Sequence, residues 1–248
     1  MDTPTTQLYN SLQIAYDHFN QALFAGSLPP VLFTTQRQKN VMGYFANERW
    51  VDTKGERCSE IAINPTYIGS HGLLELLQTL VHEMVHCWQY VHGKPSRRTY
   101  HNKEWGNKME SIGLMPSSTG KVGGKKTGQS VADYPIPDGL FIFECERLIE
   151  KGFGLTWIDR YTAKGKKLDQ LPEQAELIDA LNLTDEIAEQ LTAPVSSLLD
   201  DSDSFVEPEP ASNKTKARYT CPLCNMNLWG KSGLSVKCGD CDEDLEEY

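Results

Sequence analysis

The sequence predicts an α+β fold followed by a separate small β module. Three observations predict it. Apolar residues recur at helical spacing in long segments, and short β-rich runs lie between them. Two Cys-x-x-Cys pairs occur close together after residue 220. The length of 248 residues, at roughly 150 residues per domain, suits one medium domain and one small one. The expected boundaries are 5–165 for the main domain, 166–217 for an acidic segment and linker, and 218–248 for the cysteine module.

Leu8, Leu12, Ala15, Phe19, Ala22 and Leu23 share a helical face, so residues 5–25 read as an amphipathic helix stopped by Gly26, Pro29 and Pro30. Val31–Thr35, Val41–Trp50 and Glu60–Asn64 are β-rich and separated by polar or glycine-bearing turns, which suggests a small sheet. Ile61 and Ile63 would share a face, and Pro65 ends that strand. A long helix follows from His71 to His92, with Leu73, Leu77, Leu80, Met84 and Val91 as its buried stripe and Gly93 and Pro95 as stop signals. A further helix starts at the capping residue Asn102 and ends at Gly113, with Trp105, Met109 and Ile112 inward. Ser117–Ser130 reads as a loop. Pro135–Glu150 and Leu155–Tyr161 read as a short helix and a strand that close the domain. Leu177–Leu191 suggests an acidic helix, and Asp200–Ala217 a linker with little to bury.

The net charge of −10 is unevenly distributed. Residues 94–130 carry +6, whereas residues 169–213 hold 12 acids and neither Lys nor Arg. An acidic total therefore does not exclude an anionic partner, because one segment is locally basic. No apolar run reaches the roughly 18 residues of a membrane span, and residues 1–10 lack a signal-peptide pattern, so a soluble chain in a reducing cytosol is expected.

The strongest chemical signal is the HExxH run from His82 to His86. On a helix, positions i and i+4 lie roughly 40° apart and one turn apart, so both imidazoles reach one metal ion. Glu83 projects beside that ion, where its carboxylate can take a proton from water. Zinc lowers the pKa of a bound water to about 7, which supplies hydroxide at neutral pH. A catalytic zinc needs a third protein ligand and an open position. His101, 15 residues after His86, is one candidate, and Glu104 and Glu110 are its rivals. His92 lies roughly 240° around the helix from His86 and points away. His18 and His71 read as ordinary surface or core histidines.

The run TLVHEMVH from Thr79 to His86, followed by HNKEW from His101 to Trp105, resembles the SprT-like (Spartan-like) zinc metallopeptidase family. That family joins an HExxH helix to a downstream His-Gly-x-Glu-aromatic element. Here Asn102 stands in the glycine position and Trp105 is the aromatic. Gly43-Tyr44-Phe45 and the run EIAINP from Glu60 to Pro65 resemble the strands ahead of the family's metal helix. The resemblance covers residues 5–160 and, in architecture, the C-terminal module. It implies a zincin-like domain with His82, His86 and His101 as zinc ligands, Glu83 as catalytic acid/base and Glu104 in a supporting place. It also implies hydrolysis of proteins, including proteins bound or crosslinked to DNA.

Cys221 and Cys224 are separated from Cys238 and Cys241 by 13 residues. Two such knuckles joined by a hairpin supply four thiolates for a closed, structural zinc. Cys58, Cys87 and Cys145 read as small buried thiols. Arg97 and Arg98 fall between the metal helix and His101, and Lys121, Lys125 and Lys126 follow in a glycine-rich loop. These five side chains are candidates for contacting phosphate or acidic substrate segments. Residues 120–127 miss the Gly-x4-Gly-Lys-Ser/Thr spacing of a phosphate-binding P-loop. Tyr100 and Arg98 are candidates for stabilising an oxyanion. Two other functional classes fit less well: a nucleic-acid-binding ribbon with a vestigial HExxH site, and an interaction module acting through the acidic stretch. An intact Glu83 argues against the former, because a structural metal site has no use for that carboxylate.

Overall fold

In a computed structural model of the chain, which describes residues 3–38, 41–68, 71–161, 181, 183–193 and 216–248, the apolar-striped segments form helices. The chain divides into two compact units, residues 1–207 and 208–248. In the first unit, α1 (Pro4–Phe24) starts where Thr3 Oγ1 accepts from the Thr6 amide and Pro4 supplies a preset φ. It ends where Ala25 takes a left-handed conformation. Its buried face of Leu12, Ala15, Tyr16, Phe19 and Leu23 packs towards α3 (Leu73–His92).

Strands β1 (Val31–Thr35), β2 (Gly43–Val51) and β3 (Arg57–Ile63) form a sheet of order β1-β3-β2. β1 runs parallel to β3 and β2 antiparallel to it. Phe33, Ile61 and Ile63 turn one face into the helical core. Asn64 stops β3: its amide donates to Gln38 O and Val41 O, and its Oδ1 accepts from the Thr66 amide at the start of α2 (Pro65–Ile68). β2 is an edge strand whose register breaks between Ala46 and Trp50. There Glu48 has φ 44°, held by Tyr90 Oη at 2.9 Å and Arg57 Nη1 at 2.7 Å. Leu77, Leu80 and Met84 on α3 are essentially solvent-free, and burial of each contributes about 1.5–3 kcal/mol.

Helix α4 (Lys103–Ser111) is capped by Asn102, whose Oδ1 accepts from the Trp105 amide at 3.0 Å. It leads into β4 (Leu114–Ser117), which pairs antiparallel with β5 (Ala132–Pro135). Helix α5 (Leu140–Glu150) lies against α1, where Phe19 stacks on Phe141. Helix α6 (Asp185–Thr192) buries Leu191 against the start of α3, close enough that a Cβ at Gly72 would meet Leu191 O at 2.7 Å.

Several expectations need correction. Val91 is 44% exposed, because the last turn of α3 carries its contacts through Gln89 and Tyr90 instead. Leu155–Tyr161 is not a strand, apart from a single bridge residue at Tyr161. Side-chain bonds from Trp157 to Gln7 and from Arg37 to Asp159 hold it as an irregular segment. The loop expected at Ser117–Ser130 connects the two strands of a β-hairpin, each only four residues long and each containing a proline. Of the acidic helix expected over 177–191, positions 177–180 and 182 lie outside the described residues, as do residues 200–215 of the linker.

In the second unit, β6 (Ala217–Thr220), β7 (Asn227–Gly230) and β8 (Glu246–Glu247) form a sheet of order β7-β6-β8. Tyr219 and Leu245 make its small core with Cys221 and Cys238. The Tyr219 hydroxyl donates to Lys231 O and accepts from the Leu234 amide. So small a core needs a further tie.

Candidate metal centres

Residues Leu73 to His92 form one unbroken helix, so His82, Glu83 and His86 lie within little more than one turn. His101 comes from the segment that leads into α4, which Asn102 ties to α3: its amide donates to Lys94 O, and its Oδ1 accepts from Gln89. The result is convergence. One ring nitrogen from each of His82, His86 and His101 lies within 4.8 Å of the other two. Trp105 is fully buried against all three rings, with centroids 4.8, 5.2 and 4.4 Å away.

The donor set fits a zinc ion. His86 Nε2 and His101 Nε2 are 3.1 Å apart. Tetrahedral Zn–N bonds of about 2.0–2.1 Å put neighbouring nitrogens roughly 3.3 Å apart. Burial, assisted by the neighbouring histidine charges, holds His86 well below the usual imidazole range. Burial also brings His101 down to about 4. Both rings are therefore neutral near pH 7 and offer lone pairs to a cation. His101 Nδ1 donates to Gly128 O at 3.2 Å, which leaves Nε2 as the lone-pair nitrogen. At His82 burial alone would lower the pKa. The Asp133 hydrogen bond and the charges of Glu83 and Asp133 outweigh it and raise the group.

Glu83 is 6% exposed. Burial pushes its carboxyl up, against the opposing effects of His82 and a hydrogen bond from the Phe45 backbone. A buried carboxylate beside a metal centre is suited to accept a proton near neutral pH. The rival ligands are engaged elsewhere. Glu104 accepts from the Lys94 amide and Gln89 Nε2, both at 2.7 Å, which holds its carboxyl below the ordinary value. Glu110 pairs with Lys126 at 2.9 Å. His92 bonds Ser27 O, His71 bonds Tyr67 O, and His18 lies in a buried pair with Glu144.

Arg97 and Arg98 are exposed in the turn between α3 and His101, with the Arg97 guanidinium 5.5 Å from the Tyr100 ring centre. Lys121, Lys125 and Lys126 are exposed on the connection between β4 and β5. Asp133, which no sequence motif marks, sits in β5 with Oδ2 2.8 Å from His82 Nδ1. The available signal was a lone acid among apolar and proline residues.

The second unit holds Cys221, Cys224, Cys238 and Cys241 with their sulfurs within 4.8 Å of one another. Its two knuckles are alike. The Asn225 amide donates to Cys221 O and the Asp242 amide to Cys238 O, and Asn225 and Asp242 both have positive φ. Cys224 and Cys238 sulfurs are 3.7 Å apart, matching the roughly 3.8 Å that tetrahedral Zn–S bonds of about 2.3 Å require. Backbone amides of Cys224 and Leu223 draw the Cys221 thiol down to about 7, favouring the thiolate that binds metal.

A chain with an HExxH helix, a third converging histidine and a four-cysteine cluster has the parts of a metal-dependent hydrolase with a structural metal module. A family model described as SprT-like matches residues 12–123, and the chain belongs to the SprT-like family. A Salmonella typhimurium relative, described as an uncharacterized protein in the mucB 3' region, is 47% identical over 51 residues, covering 21% of this chain and 69% of that protein. No solved structure matches. Among the described residues, no helix is long and apolar enough to cross a membrane.

The neutral histidines set a pH dependence for the metal-free chain. Folded His101 titrates near 4, below its unfolded value of 6.5, so the unfolded state takes up the proton first as pH falls. Stability is therefore expected to fall below pH 6.5. His82, which is raised, works the other way. At roughly 1.4 kcal/mol per pKa unit, the His101 contribution is on the order of 2 kcal/mol by pH 5. Denaturant melts of chelator-treated protein at pH 7.5 and 5 should show this loss, and His101→Ala should shrink it. An unchanged loss in the variant would mean that His101 is not held neutral.

Proposed function

We propose that the chain is a zinc-dependent peptidase of zincin-like arrangement that acts on proteins held on DNA. The convergence of His82, His86 and His101 beside the buried carboxylate of Glu83 carries the reading. Family membership fits a metallopeptidase-type function in general. His82, His86 and His101 would hold the catalytic ion, and the four cysteines a structural one. When bound, zinc supplies Lewis acidity, polarising the scissile carbonyl and making water a nucleophile near neutral pH. Glu83 takes the proton from the attacking water and delivers it to the departing amine. Trp105 walls the imidazoles off from the core, and Asp133 and Gly128 fix ring nitrogens.

Two features support DNA as the place of action. Arg97 and Arg98 are exposed on the turn that leads to His101, and Lys121, Lys125 and Lys126 on the β4–β5 connection, whose Gly128 bridges to His101. In the cysteine module, Trp229 and Tyr248 flank Arg218 across the three-stranded sheet, all exposed. Such a row can stack unpaired bases. DNA would then raise the effective concentration of a bound protein substrate.

The experiment incubates purified chain with a DNA-binding protein, with and without oligonucleotides and chelator, at several salt concentrations. Chelator-sensitive cleavage is expected. DNA should stimulate it at low salt and less as salt rises, because phosphate contacts release counterions. Removing residues 216–248, or replacing Arg97 and Arg98 with Ala, should reduce the stimulation while sparing hydrolysis of an unstructured peptide. DNA-independent cleavage, with no DNA binding by anisotropy at low salt, would leave a general metallopeptidase. DNA binding without any hydrolysis would favour the nucleic-acid-binding alternative.

A further inference from the structure

We propose that the β4–β5 hairpin positions the histidine centre, with Asp133 and Gly128 as its two positioning residues. The proposal rests on the metal reading of that centre but not on proteolysis. Asp133 and Gly128 lie beyond the stretch matched to the family, which ends at residue 123. An imidazole turns readily about its outer torsion and can present either ring nitrogen. Neither α3 nor the segment before α4 dictates which one faces the metal. The hairpin does so for two rings of three.

At His82, Asp133 Oδ2 accepts from Nδ1 at 2.8 Å, and the Asp133 side chain is 5% exposed. Its position is set twice over. The hairpin register pairs Asp133 with Pro116, and Gln78, one helical turn before His82, donates its amide to Asp133 O at 2.8 Å. Asp133 is thus pinned to the same helix whose histidine it orients. At His101, Gly128 O accepts from both the backbone amide (2.8 Å) and Nδ1 (3.2 Å), and the Gly128 amide donates back to His101 O at 3.1 Å. Gly128 has φ +148°, a conformation that side-chain-bearing residues rarely adopt. A Cβ there would meet nothing nearer than Val131 Cγ2 at 3.8 Å, so conformation rather than space requires glycine. Both partners occupy Nδ1, and both leave Nε2 for the ion. A carboxylate or carbonyl on the far ring nitrogen also makes the ligand more basic.

The test uses the zinc-loaded full chain. Nitrogen-15 NMR of the histidine rings reports which nitrogen is protonated and which bears metal, and chelator competition reports affinity. The expected spectrum has Nδ1–H and metal-bearing Nε2 at both His82 and His101. Asp133→Ala should weaken zinc binding at the histidine centre by about 10–100-fold, and Asp133→Asn, which keeps an acceptor, by less than roughly tenfold. Gly128→Ala should weaken the same site, and the four-cysteine site should be unchanged throughout. Metal on Nδ1 of His82 in the unmodified chain would overturn the proposal, as would an Asp133→Ala affinity within about twofold of it. If Asp133→Ala fails to fold, the unmodified spectrum and Asp133→Asn still decide. A chain that binds zinc this way but cleaves nothing would defeat the peptidase reading and leave this one standing.

Discussion

Glu83→Gln is expected to lower peptide-bond hydrolysis by about 10²–10⁴-fold, the usual contribution of a positioned general acid or base, while the chain keeps its metal. The substitution preserves shape and volume, so the buried site between His82 and His86 stays packed. What it removes is the basic oxygen pair, since an amide cannot accept the proton of an attacking water at neutral pH. Ligand atoms are untouched, so metal analysis should return about two zinc per chain before and after the change, one for each cluster. Steady-state hydrolysis of an unstructured peptide, with zinc content and a thermal melt on the same preparation, checks all three quantities. Activity above a tenth of the starting value would remove Glu83 from proton transfer. Joint loss of zinc and activity would make it a structural residue.

The grouping of these side chains was legible because it is local. His82, Glu83 and His86 fall within five residues of a strongly periodic segment, and helical geometry alone puts them together. His101 required a resemblance as well, because its approach depends on a turn and on the Asn102–Lys94 bond. Asp133 was beyond reach. It meets His82 across 51 residues of chain, through a hairpin whose four-residue strands contain Pro116 and Pro135 and enclose a Gly- and Lys-rich connection. Proline in a short two-stranded edge is tolerated where its missing donor faces outward, but in the sequence it reads as a break.

The acidic helix expected over 177–191 is present among the described residues as α6, from Asp185, and its apolar spacing explains why it packs. The charge count of residues 169–213 says nothing of burial, but Leu183, Ile187 and Leu191 recur at four-residue spacing within them. Leu191 is fully buried against the start of α3, and Leu183 and Ile187 pack on the same core. Burying one face costs the acids nothing while they remain in water on the other, so apolar spacing decides the matter.

The third ligand separates two substitutions that sequence alone treats as rivals. His101→Ala is expected to weaken zinc at the histidine centre by more than the 10–100-fold typical of outer partners, because a bonding nitrogen is lost. His101 is 8% exposed, and its Nε2 stands 3.1 Å from that of His86. The neutral ring that burial produces is a lone-pair donor, and that lone pair faces the other imidazoles. Glu104 is already satisfied: one oxygen receives both the Lys94 amide and Gln89 Nε2, and the carboxylate braces the turn that follows α3. Glu104→Ala should therefore keep zinc and cost about 1–3 kcal/mol of stability, since Gln89 is buried and loses an acceptor. Chelator competition and denaturant melts on the two variants separate the outcomes. Zinc retained in His101→Ala but lost in Glu104→Ala would transfer the third ligand to the glutamate and place the centre one helix face away from where the imidazoles meet.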